Sequence, residues 1–175
     1  MKEQQYQSFL PQLQALIEGV DDEISILANV AAALHTEFQW FWTGFYIVKN
    51  QKAPQPSTIT PLPPYAGRAG VGLLHLGPFQ GTPACYTIPY GRGVCGTAWK
   101  EKKTIVVRNV EEFPGHIACS ALSRSEIVVP LIDKQGDVRA VLDIDSKEIG
   151  TFDDIDQKYL EQAMRLVENV LYPIP

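Results

Sequence analysis

The sequence predicts an α+β fold, an antiparallel sheet with N- and C-terminal helices packed on one face. Three observations predict it. Ile155, Tyr159, Ala163, Leu166, Val167 and Val170 recur at the helical period near the C-terminus, and Ile26, Leu27, Val30, Ala31 and Leu34 do so near the N-terminus. Residues 38–48, FQWFWTGFYIV, are dense in aromatic and β-branched side chains and too short for a buried helix. Residues 127–132 and 137–144 flank the turn sequence DKQGD, which marks a hairpin.

The elements follow in order. Ser8 is expected to cap a first helix, with Pro11 in its opening turn and Gly19 closing it. Asp21 or Asp22 caps the second. After the aromatic strand, residues 49–72 hold five of the thirteen prolines and few large apolar groups, so they read as an inserted surface loop between neighbouring strands. Further strands are expected near 73–79, 84–88 and 104–107, with a short helix near 94–101. Thr151 or Asp153 caps the last helix.

A chain of 175 residues with 45% hydrophobic content can bury one core, so residues 1–175 are read as a single domain. A formal charge of −5 without a basic run argues against a nucleic-acid partner. The N-terminal stretch lacks the apolar run of a signal peptide or membrane span, which points to a reducing, cytoplasmic setting and no membrane partner. Three cysteines, an odd count, cannot all enter structural disulfides. Cys85, Cys95 and Cys119 are either small buried hydrophobes or redox groups. Their separations lack the paired spacing of structural zinc sites, and no metal or organic cofactor is expected.

Period two puts Asp143 and Asp145 on one face of their strand, opposite Leu142 and Ile144. Adjacent carboxylates repel and aspartate is a poor strand former, so the pair is either a wet sheet face or a binding site. Glu126, on the partner strand of the hairpin, brings a third acid. Such a trio can hold an ammonium group, share a proton or bind a hard cation. In the aromatic strand, Trp40, Trp42, Gly44 and Tyr46 share one face, with Trp42 and Tyr46 either core or a pocket floor. GRGVCG, residues 91–96, matches a dinucleotide-binding pattern, but Pro89 and the lack of a βαβ unit make it a turn into the short helix. That helix start is expected to stabilise a Cys95 thiolate. His116, three residues before Cys119, is a candidate base or a surface group.

Four segments together carry a resemblance: WTGFY (42–46), GPFQGTPACYTIPYGRGVCGTAW (77–99), GHIACSALSRSEIVVPL (115–131) and VLDIDS (141–146). In this order, with all three cysteines, they resemble the free methionine-(R)-sulfoxide reductases, single GAF-domain enzymes. The long insertion at about 49–72 departs from the family. The resemblance implies a GAF-like sheet and reduction of free methionine (R)-sulfoxide to methionine. It implies Cys119 as nucleophile, Cys85 as resolving thiol and Cys95 as a cysteine able to pair with Cys85 instead. It implies Glu126, Asp143 and Asp145 as substrate-binding acids, with one of them a proton donor, and Trp42 and Tyr46 around the methyl-sulfur end. Thioredoxin as reductant and a homodimer through terminal helices follow by the same analogy. The competing readings are a GAF module that senses a small molecule without catalysis and a peroxide-sensing thiol protein.

Overall fold

A computed structural model describes residues 1–49, 72–116 and 119–173. Six strands form one antiparallel sheet: β1 (Trp42–Lys49), β2 (Leu73–Gln80), β3 (Thr87–Pro89), β4 (Ile105–Val107), β5 (Ser125–Ile132) and β6 (Val138–Ser146). Their order across the sheet is β3-β2-β1-β6-β5-β4. The helices are α1 (Lys2–Ile17), α2 (Glu23–Phe38), α3 (Gly93–Glu101) and α4 (Asp154–Leu171). The expected α+β class, an antiparallel sheet with the terminal helices on one face, holds. The inserted segment falls almost wholly outside the described residues.

Alternation along the central strands divides the interior in two. Phe45, Ile127, Val129, Leu142 and Ile144 face α1, α2 and α4, whose stripes Tyr6–Phe9–Leu13–Ile17, Ile26–Leu27–Val30–Leu34 and Tyr159–Leu160–Ala163–Val167 cover them. Trp42, Tyr46, Val128 and Val141 face the other way, towards Val94, Cys95, Ala98 and Trp99 of α3. The first face is a dry core. The second contains the acids.

Helix termini follow local chemistry. Asp22 accepts from the Ser25 amide, and Asp153 forms a reciprocal capping box with Asp156. The first helix does not start after Ser8: it begins at Lys2, and Pro11 lies inside it on the exposed side. Four buried apolar residues on the opposite side hold the helix through its proline, a case of tertiary packing overriding a local breaker. The aromatic strand begins at Trp42 rather than residue 38, because Phe38 ends α2 and Gln39 takes the left-handed conformation that terminates it. Trp40 therefore escapes the strand alternation. It stacks on Phe38 with ring centroids 4.5 Å apart, on the helix side of the sheet. The strand expected near 84–88 is displaced to Thr87–Pro89, leaving Ala84, Cys85 and Tyr86 in the preceding loop.

Candidate active site

Strand register builds the floor of the site. Asp145 pairs with Trp42 on one side and Glu126 on the other, while Asp143 pairs with Gly44 and Val128. Two adjacent strands, β5 and β6, thus bring three carboxylates to one patch beside β1, as period two and the hairpin led us to expect. Glu126 and Asp143 are only 6% and 7% exposed, which excludes a wet sheet face for them.

Two loops close over this floor, and β1 anchors one of them. The Trp42 indole donates to the Thr82 carbonyl at 2.9 Å, and the Tyr46 hydroxyl donates to the Cys85 carbonyl at 3.0 Å. The same hydroxyl lies 4.0 Å from Cys119 Sγ. Cys85 and Cys119 are joined in a disulfide with Cα atoms 5.4 Å apart. Trp42 is sandwiched, with Phe79 and Tyr46 ring centroids at 5.4 and 6.1 Å. The resulting cleft encloses about 510 Å³, mouth included, and is lined by Trp42, Tyr46, Cys95, Cys119 and the three acids among others. The eight residues that the resemblance implied converge here, Cys85 through its disulfide and its hydrogen bond from Tyr46, and His116 joins them, whereas Trp40 does not.

Burial sets the proton affinities. Desolvation first, and repulsion from Asp145 second, push the Glu126 carboxyl well above its ordinary range. Desolvation, then Asp145 and Glu126, do the same to Asp143. Asp145 is pushed up by desolvation only to about 6, because the Ser123 hydroxyl donates to it and stabilises its charge. Asp145 is therefore the readiest of the trio to ionise, with protons held more firmly on Glu126 and Asp143, a division that limits like-charge repulsion. Asp143 Oδ1 is buried without a hydrogen-bond partner among the described residues.

Cys95 departs from expectation. It does sit in the first turn of α3, but its thiol is buried beside Glu126 Oε1 at 4.0 Å, and burial with the neighbouring acids raises its pKa well above the ordinary value. Desolvation and like charge outweigh the helix terminus, so Cys95 rests as a thiol rather than a thiolate. His116 Nε2 lies 3.6 Å from Glu126 Oε2, and partial burial lowers its pKa, leaving a neutral imidazole at pH 7. Ser123 and Phe79 were not legible as site residues. Both act through neighbours, one on Asp145 and one on Trp42, and neither sits in a motif or a periodic pattern that announces that contact.

A family model described as GAF domain matches residues 22–171. GAF domain-containing protein A of Dictyostelium discoideum is 48% identical over 168 residues, covering 96% of this chain and 93% of that protein. The free methionine-R-sulfoxide reductase of Escherichia coli is 39% identical, covering 90% and 82%. An X-ray structure of free methionine-R-sulfoxide reductase from Neisseria meningitidis, in complex with its substrate, is 40% identical, covers 97% of this chain and 90% of that one, and superposes with a TM-score of 0.82. The fold, the family model and these relatives agree: the chain belongs to the GAF domain family, in the branch it shares with the free methionine-R-sulfoxide reductases.

Proposed function

We propose that the chain reduces free L-methionine (R)-S-oxide to methionine, with residues 1–175 acting as one GAF-like catalytic domain. The observation that carries this reading is the Cys85–Cys119 disulfide at a cleft floored by Glu126, Asp143 and Asp145. A nucleophile, a second sulfur within bonding reach and a proton source are what sulfoxide reduction by a thiol requires.

The ionised Asp145 holds the substrate ammonium, and the ring faces of Trp42 and Tyr46 receive the methyl-sulfur end. Cys119, reduced, attacks the sulfoxide sulfur as a thiolate. The oxygen cannot leave as an oxide ion, so the Glu126–Asp143 pair supplies a proton as the S–O bond weakens. The substrate gains two electrons and departs as a thioether. The protonated oxygen passes from the substrate sulfur to Cys119 as the transient bond between the two sulfurs breaks, leaving a sulfenic acid with which Cys85 condenses, forming S–S and releasing water. A dithiol of the thioredoxin class then opens the disulfide in a reducing compartment such as the cytoplasm. Cys95, a protonated thiol against Glu126, is the poorer nucleophile and serves as the reserve partner for Cys85. Three acids, with no lysine or arginine among the described lining residues, suit a free ammonium, which a peptide-bound methionine lacks.

An assay supplying each epimer separately, free and within a peptide, tests the reading. The expected result is methionine from the free R epimer alone, one molecule per disulfide made. Turnover only of peptide-bound sulfoxide, or disulfide formation with peroxide but no methionine from sulfoxide, would reject it in favour of another substrate or a thiol sensor.

A further inference from the structure

Cys95, Glu126 and Asp143, which sulfoxide reduction uses only as a reserve thiol and a proton source, together form a donor set of their own. Cys95 Sγ and one carboxylate oxygen each from Glu126 and Asp143 all lie within 4.8 Å of one another, and all three residues are buried. Zinc ligation needs about 2.0–2.3 Å to each donor, so the three side chains would draw in towards an ion placed between them. The donors come from three different elements, α3, β5 and β6, so the cluster is built by the fold and not by a flexible loop. Asp143 Oδ1, buried and without a hydrogen-bond partner among the described residues, is an acceptor aimed into this cluster that a bound cation would satisfy. His116 Nε2, 3.6 Å from Glu126 Oε2, stands at the edge of the same cluster with a neutral ring nitrogen able to act as a fourth ligand.

We propose that Cys95, Glu126 and Asp143 bind a borderline divalent cation of the zinc type, which occupies the cleft floor and excludes the sulfoxide. One sulfur and two oxygens, with an open position towards the cleft, suit zinc or cobalt(II) better than magnesium, which prefers oxygen alone. Binding displaces the thiol proton and the carboxyl protons, so the ion is held more tightly as pH rises. The exclusion of substrate rests on the function proposed above, whereas the metal site itself does not.

The test separates the two. In a Cys85→Ser/Cys119→Ser variant only the Cys95 thiol remains, so cobalt(II) titration reads this site alone. One ion per chain and a sulfur-to-cobalt charge-transfer band are expected, with zinc displacing the cobalt. Adding Cys95→Ser should remove the band, and Asp143→Asn in the same background should weaken binding about 100-fold while leaving sulfur ligation visible at higher cobalt. Circular dichroism on each variant distinguishes lost ligation from lost fold. No stoichiometric binding, or a band that survives Cys95→Ser, overturns the site. In the wild-type reduced protein, zinc should raise the apparent KM for the sulfoxide without changing kcat. Binding with unchanged kinetics would overturn the exclusion, and absence of sulfoxide turnover without zinc would instead reject the proposed function.

Discussion

Asp145 shows how much a single hydroxyl can decide. Glu126 and Asp143 are buried and Asp145 is half-buried; only Asp145 accepts a hydrogen bond from Ser123, and its pKa stops at about 6 while the other two rise well above the carboxylate range. Ammonium binding needs the ionised form, so affinity is full above that value and is lost as pH falls through it. We expect kcat/KM for the free sulfoxide to drop about tenfold per pH unit below about 6, beyond any thiolate contribution measured with a substrate lacking the ammonium. Asp145→Asn should raise KM about 30-fold or more at pH 7.5, corresponding to about 2 kcal/mol for a lost buried charge partner, and should flatten this acid limb. An unchanged limb in the variant assigns it elsewhere. The pairing of Asp143 with Asp145 was readable from period two alone. Which of them stays charged was not, because Ser123 sits in a loop and its contact depends on how that loop returns to β5.

At the scale of elements, β1 governs the site. Its register sets Trp42 beside Asp145 and Gly44 beside Asp143, and its aromatic heads grip the loop that carries Cys85. Gly44 is required by packing: a Cβ there would collide with Phe79 Cβ and with the Trp42 ring. Gly44→Ala should therefore push Trp42 off its stack and lower stability by about 1–3 kcal/mol, read as a shifted urea midpoint, with a larger rise in KM than fall in kcat. A variant with native stability and native KM would show that the ring moves without consequence. The strand's identity and its alternating faces were legible in WTGFY. Its start was not, since the left-handed turn at Gln39 is a helix-end event that aromatic composition conceals, and so Trp40 was assigned to the wrong face. Likewise Cys95 was correctly placed at a helix start, but burial, and after it the acids that face the thiol from the sheet, reversed the expected effect.

The molecule as a whole keeps its two faces apart. The helix side is apolar and closed, and it is tied at its edge by a polar clasp in which Tyr6 donates to Asp156 Oδ1 at 2.8 Å while Lys2 Nζ meets Asp156 Oδ2 at 2.6 Å. Asp156 is 2% exposed, so it depends on those partners. Tyr6→Phe should destabilise the fold by about 1–3 kcal/mol by leaving Asp156 Oδ1 buried without its donor and leave kcat/KM unchanged, since α1 packs on the face remote from the cleft. Equal losses of stability and activity would mean that the two faces are coupled. The overall class followed from apolar periodicity because each layer repeats its own spacing. The clasp was beyond reach, since it joins residues 150 positions apart. The central claim concerns the other face, where Cys119 and Cys85 act in sequence on one substrate. Its most direct test is a single turnover with fully reduced Cys85→Ser, quenched and analysed for methionine and for the oxidation state of each cysteine. The account predicts one methionine per chain and a sulfenic acid on Cys119 that a 1,3-diketone reagent captures, with Cys95 first remaining a thiol. No methionine, or the oxygen appearing on Cys95 while Cys119 stays reduced, would contradict it.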